Sequence, residues 1–347
     1  MHLPLEDLPH GLTARRLEWV HLPPHVRRLV EQRCGTAVLE ARSVTGGYTP
    51  GFASVLHGAD GSRHYVKAAS VTAQRSSALT YAAEAASLAA LDAASLPAPR
   101  LSWSHGTEPG RRHRADDWVV VGFEAVAARA PRRPWLDDDD LAAALETLAD
   151  LAVSPAAAGV DLTDVAEDLA EWPGRWAEVA AARPDLDPGH VREAEALARD
   201  LPAAVAGGSL VHGDVTDDNL LLGDDGRVLL CGWAWPALGA PWLDSLWALV
   251  GPCSDGVDVE AVLRRTPLLA AAPAERVDTV LAATAAYFLA SAGGRSPAWS
   301  PYLRLAQRRQ GEACWAWLGE RRGWWPAPAP RVGTSTRSED LGGLVRR

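Results

Sequence analysis

The stretch that decides the fold is LVHGDVTDDNLLL, residues 210–222. One short apolar run enters it, another leaves it, and a polar loop lies between them. Asp214 and Asn219 stand five positions apart in that loop. This arrangement puts a carboxylate where it can accept a hydroxyl proton and an amide where it can ligate a metal ion. The stretch therefore predicts a phosphoryl-transfer loop, and a polar loop with a capping Asp is the simpler alternative.

Outward from this loop, toward the amino terminus, the pattern predicts a small sheet followed by a helix. The predicted strands cover residues 37–45, 52–57 and 64–69, and the predicted helix covers residues 76–94. The turn between the first two strands contains Gly46 and Gly47, and glycines let backbone amides approach an anion closely. Lys67 lies in the third strand, and an inward-facing lysine needs a partner because an unpaired buried ammonium is costly. Glu84, on the predicted helix, is the natural partner.

The composition fits a globular protein of two lobes. The chain has 347 residues, and 48% of them are hydrophobic, enough for a sizeable core. The net charge of −10 argues against nucleic acid as a partner, which favours a basic face, and it is compatible with a cationic substrate. Lys67 is the only lysine among 34 basic residues, which suggests a site that requires an ammonium group.

Other sequence features predict a cytoplasmic protein that does not interact with the membrane. No apolar run reaches the roughly 20 residues of a membrane-spanning helix. The first residues contain no apolar run that would indicate a secretory signal. The four cysteines show no CxxC pair and no metal-binding spacing, so we expect them to be reduced thiols.

Residues 35–320 resemble the aminoglycoside phosphotransferase family, relatives of the protein kinases. The family's HGDxxxxN loop matches His212 to Asn219, and its strand lysine and helix glutamate match Lys67 and Glu84. The segment LGAPWLD at 238–244 is similar to the family's Gly-x-Pro…Asp stretch. By this resemblance the chain is an ATP-dependent O-phosphotransferase that acts on a small-molecule hydroxyl.

The resemblance also implies roles for individual residues. Asp214 would be the catalytic base, His212 would be a second catalytic residue of the same loop, and Asn219 would be a ligand of Mg²⁺. The residues expected to bind ATP are Gly46, Gly47, Lys67, Glu84, Glu124 and Val126. Within this set Lys67 would contact the phosphates, and the backbone of the connector at 124–126 would hold the adenine.

One position departs from the family pattern. The family carries its principal magnesium-binding Asp directly before an aromatic residue, and here Gly232 precedes Trp233, 18 residues after Asp214. Three interpretations follow. Asp217 or Asp218 could serve as a compensating ligand beside Asn219, since magnesium commonly keeps several waters. The chain could instead be a pseudokinase-like protein that binds a nucleotide or another ligand without chemistry, or Gly232 could be an inactivating change in an otherwise active enzyme.

The predicted fold is α+β and bilobal, of the protein-kinase type. Residues 1–123 would form a β-rich lobe with one helix in addition to an N-terminal helix, residues 124–128 a hinge, residues 129–325 a mainly helical lobe, and residues 326–347 a disordered tail. Helices are predicted at 141–152, 163–182 and 188–206, and a hairpin at 220–231. Trp233, Trp235, Trp242 and Trp247 are predicted to flank the cleft, most of them as core residues and one or two as a surface for a substrate ring or cation.

Overall fold

The computed structural model describes residues 13–44, 46–107, 114, 117–132, 135 and 138–325. The predicted disordered tail at 326–347 lies outside the described residues. The rest forms an antiparallel sheet lobe and a helical lobe, which confirms the predicted fold class. None of the helices in the described part of the chain has the length and apolar character needed to cross a membrane.

The first lobe is a five-stranded antiparallel sheet with the strand order β1-β2-β3-β5-β4. Its elements are α1 (Pro24–Cys34), β1 (Val38–Ser43), β2 (Phe52–Gly58), β3 (Arg63–Ser70), α2 (Arg75–Ala90), β4 (Leu101–His105) and β5 (Trp118–Glu124). Helix α2 ends four residues before the predicted boundary at 94. The side chain of Asp92 there accepts hydrogen bonds from Ala94 and Ser95, a local turn that competes with helix.

Strand alternation sends successive residues of β3 to opposite faces of this sheet. Val66 and Ala68 are fully buried in a cluster that includes Val26 and Val30 of α1. Lys67 lies between them in sequence and therefore faces the other side of the sheet, toward α2 and the second lobe. The period of the strand thus directs the chain's single lysine into the space between the lobes.

The second lobe is mainly helical. Its elements are β6 (Ala128–Arg129), α3 (Asp138–Ala152), α4 (Val165–Asp168), α5 (Trp176–Ala182), α6 (Pro188–Ala198), α7 (Leu201–Val205), β7 (Ser209–Val211), β8 (Leu220–Gly223), β9 (Val228–Leu230), β10 (Ala237–Gly239), α8 (Leu243–Ala248), α9 (Val250–Ser254), α10 (Val259–Arg265), α11 (Pro267–Ala270), α12 (Ala274–Ala292) and α13 (Leu303–Arg322). Helix α12 is buried along most of its length and packs against α6, α7 and α13.

Two predicted long helices are interrupted. The predicted helix at 163–182 is broken into α4, a short turn at 173–175 and α5, because Pro173 has no backbone N–H to continue an α-helix. The predicted helix at 188–206 is divided into α6 and α7, with Pro202 in the first turn of α7. These breaks place shorter helices around α12.

Small strands hold the loop at 212–219. Strand β7 pairs with β10, and β8 pairs with β6 and β9, all antiparallel. The loop leaves β7 and enters β8, while Gly232 follows β9 by two residues. The predicted hairpin is confirmed, whereas β6 and β10 had no signal in the sequence because each is very short.

Candidate active site

A cavity of about 740 Å³ lies between the two lobes and contains most of the predicted site residues. Its walls come from the glycine turn at 46–51, from β3 and α2, from the connector after β5, and from the loop at 213–219. The predicted residues that line it are Gly46, Gly47, Lys67, Glu84, Glu124, Val126, Asp214, Asp218 and Asn219. Sequence positions up to 173 apart, from 46 to 219, therefore converge on one cleft.

Lys67 and Glu84 form the ion pair that the sequence predicted. The Nζ atom lies 2.7 Å from both carboxylate oxygens, and the side chains are 13% and 4% exposed. Burial is the largest single effect and opposes the charge on Lys67, but the charge and hydrogen bonds of Glu84, together with Tyr65 and Tyr81, outweigh it, and the pKa of Lys67 is raised above its ordinary value. The ammonium therefore stays charged inside the cleft, fixed between β3 and α2.

The turn at 46–51 depends on its glycines. Gly47 has a φ of 76° and Gly51 a φ of 128°, in the region that side chains other than glycine rarely adopt. A Cβ atom on Gly51 would also lie 2.9 Å from the Tyr81 hydroxyl and 3.1 Å from the Ala68 carbonyl. The turn thus comes closer to α2 and β3 than a residue with a side chain would allow.

His212 is a positioning residue in this geometry, because it does not line the cleft. Its side chain is fully buried, its Nε2 atom lies 3.0 Å from the Cys231 carbonyl, and its ring meets the edge of Trp233. Burial lowers the pKa of His212 to about 4, so the ring is neutral. With Nε2 donating to Cys231, Nδ1 accepts the backbone N–H of Asp214 at 3.3 Å. The direct catalytic role predicted for His212 has no support from this placement.

Asp244 holds the start of the same loop. Its carboxylate, on α8, accepts the backbone N–H groups of His212 at 2.7 Å and Gly213 at 3.0 Å. Burial raises the pKa of Asp244 to about 6, against the effect of these two hydrogen bonds. The sequence placed this residue in a family stretch, but its contact with a loop 31 and 32 residues earlier was not predictable from spacing.

Asp214 faces the cleft and is oriented by Asn219. The Nδ2 atom of Asn219 donates to the carbonyl of Asp214 at 2.8 Å and to its Oδ2 atom at 2.9 Å. Although the carboxylate opens onto cleft solvent, the surrounding protein desolvates it and raises its pKa above the ordinary value, which the Asn219 bond partly offsets. A fixed carboxylate with a raised pKa is suited to accept a proton.

Gly232 occupies the predicted metal position without a side chain. Its φ is 86°, its N–H donates to Glu84 Oε1 at 3.2 Å, and a Cβ atom there would lie 3.1 Å from Asn219 Oδ1. A side chain at position 232 would therefore start in contact with Asn219. Within the described ranges there is no group of three or more His, Cys, Asp or Glu residues suited to a metal. The donors fit Mg²⁺ poorly, with Asn219 as the one aligned side chain and Asp218 on the same cavity wall.

The far end of the cleft is aromatic and rich in amides. Trp235 is 57% exposed and lines the cavity, while Trp172 stacks on Tyr287 with ring centroids 4.4 Å apart. Gln307 and Gln310, on α13, line the same end. Of the four tryptophans predicted to flank the cleft, Trp233 and Trp242 are buried core residues, Trp247 packs partly buried beside Trp172, and Trp235 alone lines the cavity. No pattern in the sequence indicated Trp172, Tyr287 or the two glutamines.

The comparisons with known proteins agree with this arrangement. A model described as the phosphotransferase enzyme family matches residues 52–237, more than half of the chain. An aminoglycoside phosphotransferase from Alicyclobacillus acidocaldarius is 17% identical with a TM-score of 0.54, and the match covers 83% of this chain and 92% of that one. A spectinomycin phosphotransferase solved with ADP and spectinomycin is 12% identical with a TM-score of 0.55, covering 86% and 98%.

A choline kinase from Streptococcus pneumoniae is 9% identical with a TM-score of 0.50, and the match covers 87% of this chain and all of that one. At these identities the solved structures establish the fold alone. No curated protein matches the chain.

Proposed function

Since this chain belongs to the phosphotransferase enzyme family, we propose that it transfers the terminal phosphoryl group of ATP to a hydroxyl group of a small molecule. The observation that carries the proposal is the placement of Asp214. Its carboxylate faces the cleft and accepts one hydrogen bond from Asn219, which also bonds the Asp214 backbone carbonyl. The same cavity contains the charged pair of Lys67 and Glu84. A base and a phosphate-binding cation are thus present in one cleft.

In the proposed reaction the substrate oxygen forms a bond to the γ-phosphorus of ATP, the bond from that phosphorus to the bridging oxygen breaks, and ADP leaves. Asp214 takes the hydroxyl proton, because a carboxylate fixed in this way orients the hydroxyl and accepts its proton. Lys67 would contact the phosphates, and the turn with Gly46 and Gly47 would cover them. The polypeptide therefore acts mainly by positioning and by charge.

We place the adenine against the connector after β5. Glu124 accepts the backbone N–H of Arg100 at 3.0 Å through its side chain, which fixes the connector at its start. The connector residues 124–126 line the cavity. Their backbone N–H and C=O groups would hydrogen-bond the edge of the adenine ring, as expected for the connector at 124–126.

Magnesium is expected with ATP, and it would add positive charge at the phosphates. Asn219 Oδ1 would be its protein ligand, with Asp218 as a second candidate and water completing the coordination. Because the donor set fits the metal poorly, no step of the reaction is assigned to it.

We further propose that the substrate binds against Trp235, Trp172 and Tyr287. A ring or a single cationic group suits these aromatic faces, and Gln307 and Gln310 can hydrogen-bond a neutral polar group. Four acidic side chains of the described residues line the cavity. Glu84 is paired with Lys67 and Glu124 bonds the Arg100 backbone, which leaves Asp214 and Asp218 to face a cationic substrate. This surface favours a substrate with fewer positive charges than an aminoglycoside carries. The alternative of a binding protein without catalysis has no support from the comparisons.

Asp214→Ala tests the proposal. The purified protein is incubated with ATP, magnesium and panels of hydroxyl compounds, neutral and cationic, and the phosphorylated products are measured by mass spectrometry. We expect the variant to lose about 10²- to 10⁴-fold in kcat, the usual contribution of a general base, with ATP affinity nearly unchanged. A variant that keeps the wild-type rate would contradict the assignment of Asp214.

A further inference from the structure

The cleft has a second cation that lies outside the family match. We propose that Arg16 binds the nucleotide phosphates beside Lys67 and supplies part of the positive charge that a metal held at position 232 would supply. The inference rests on the nucleotide binding in the proposed function, but not on catalysis. Arg16 precedes the family match, which starts at residue 52, so the match assigns it no role.

Arg16 belongs to a strap, residues 13–17, that crosses the glycine turn. Thr13 Oγ1 donates to the Gly47 carbonyl at 2.7 Å, and the backbone N–H of Leu17 donates to the Gly51 carbonyl at 3.2 Å. The N–H of Arg15 donates to the Trp299 carbonyl of the helical lobe at 2.9 Å. The strap therefore ties the glycine turn to the opposite lobe and fixes the position of Arg16 between them.

The guanidinium of Arg16 lies at the turn and lines the cavity. Its Nη1 atom donates to the Thr49 carbonyl and its Nη2 atom to the Gly46 carbonyl, each at 2.7 Å. A guanidinium has five N–H donors, so these two bonds leave others for a ligand. Its Nε atom is buried without a hydrogen-bond partner among the described residues. Arg16 thus retains donor capacity at the turn where phosphates are expected.

The charge of Arg16 is also unmatched. Across the part of the chain that the structure describes, no carboxylate forms an ion pair with Arg16, whereas Lys67 is paired with Glu84. Burial raises the pKa of the Tyr81 hydroxyl, and the nearby charges of Arg16 and Lys67 oppose that rise. Both cations therefore lie close to the same hydroxyl group. An unmatched cation in a sheltered position favours an anionic ligand.

Position 232 has no carboxylate, and Arg16 would compensate for the positive charge of a metal bound there. A carboxylate at this position would hold a metal at the phosphates, and the present donors hold one poorly. An arginine can pair with phosphate oxygens through charge-assisted, bidentate hydrogen bonds. Arg16 and Lys67 together would therefore bind the nucleotide with a reduced need for magnesium.

The test compares Arg16→Gln with the wild type by calorimetric titration with ATP and with adenosine, in excess magnesium and in excess chelator. We expect the variant to lose about 10- to 100-fold in ATP affinity, the effect of removing hydrogen bonds to a charged group. Adenosine affinity should change less than about threefold, since adenosine has no phosphate to contact. The wild type should keep measurable ATP binding in chelator.

Thr13→Val is the matched control, because it removes one strap hydrogen bond and leaves the charge. It should preserve the ratio of ATP to adenosine affinity, and nucleotide-free melting temperatures should show that both variants fold. Equal losses for ATP and adenosine in Arg16→Gln, or no loss, would overturn the inference. If the wild type binds ATP with the expected Arg16 dependence but transfers no phosphate to any substrate, the proposed function fails and the inference stands. A wild type that binds no ATP would overturn both.

Discussion

Gly232 combines a backbone conformation that few residues adopt with a close approach to Asn219, since a Cβ atom there would lie 3.1 Å from Asn219 Oδ1. Its φ of 86° is in the left-handed region, where Asp and Asn are the best tolerated residues after glycine. The neighbouring contacts remain intact, since its N–H still bonds Glu84 and Asn219 still holds Asp214. The hydrogen bonds around Gly232 therefore do not depend on a side chain at this position.

Replacing that glycine should restore a metal ligand. In Gly232→Asp we expect magnesium to strengthen ATP binding by at least about tenfold more than in the wild type, because a second side chain would then join Asn219. The substitution should cost about 1–2 kcal/mol of stability from left-handed strain. Affinity is measured by titration with ATP across a magnesium series.

Gly232→Asn is the control, since it has the same backbone tolerance and a similar size without the charge. If the Asp and Asn variants respond equally to magnesium, the carboxylate does not bind the metal at this position. A large rise in turnover in the Asp variant would indicate that the native reaction is limited by the missing ligand.

At the scale of elements, short strands and one helix hold the catalytic loop in place. Strand β7 pairs with β10, and Asp244 of α8 caps two backbone N–H groups of the loop. A buried carboxylate with two such partners fixes the backbone just before Asp214. The position of Asp214, the proposed base, thus depends on residues about 30 positions later in the chain.

Asp244→Asn should destabilise the protein by about 1–3 kcal/mol, because the amide offers one oxygen and leaves a buried N–H unpaired. The pKa of Asp244 is raised from 3.8 to about 6 in the folded state. The folded state therefore holds this proton more tightly, and the stability that the proton adds is present below pH 3.8 and is lost as pH rises through about 6. The stability difference between wild type and variant should shrink over this range, as measured by urea unfolding at a series of pH values.

Asp225→Asn gives the comparison, because Asp225 lies exposed in the hairpin turn and its pKa is lowered by hydrogen bonds to Arg227. The stability that the ionised Asp225 carboxylate contributes should be lost as pH falls, so its pH dependence runs in the opposite direction to that of Asp244. The size of this contribution should also be smaller. If the stability difference between wild type and Asp244→Asn varies with pH in the same direction as that for Asp225→Asn, the raised pKa assigned to Asp244 is wrong.

The sequence was sufficient for the parts of the site that local pattern determines. Strand alternation placed Lys67, the helix predicted after that strand supplied Glu84, and the polar loop supplied Asp214 and Asn219. It was insufficient for Arg16 and Asp244, whose partners lie about 30 residues away in segments without a regular pattern. It also assigned His212 to catalysis, since a loop motif does not reveal which of its side chains is buried.

At the scale of the whole molecule, α13 closes the helical lobe through a buried charge network. Arg321 is 11% exposed and bonds Asp278 of α12 at 2.5 Å and Glu260 of α10 at 2.8 Å. The same helix carries Gln307 and Gln310 into the cleft. The packing position of α13 therefore also determines where Gln307 and Gln310 lie in the proposed substrate site.

Arg321→Ala should lower the free energy of unfolding by about 3 kcal/mol, the lower end of the range for breaking a buried pair. The buried carboxylate of Asp278 would keep only Arg322 at 3.3 Å, and the partly exposed Glu260 would keep Trp317. Arg264→Ala is the matched control, since Arg264 is 66% exposed and lies 3.9 Å from Glu260, a geometry worth about 0–1 kcal/mol. Chemical denaturation measures both. Similar losses in the two variants would show that burial of the network contributes little.

The ion pair of Lys67 also makes the chain simple to probe chemically. The protein has one lysine in 347 residues, and that lysine lies in the cleft between Glu84 and the aromatic rings of Tyr65, Tyr81 and Phe123. An amine-reactive label therefore has a single ε-amino target, and that target is inside the cavity. Because Glu84 holds this amine charged and such labels react with the neutral amine, Lys67 should react slowly while the pair is closed. Labelling of Lys67, counted separately from the terminal α-amine, would report opening of the pair without any engineered handle.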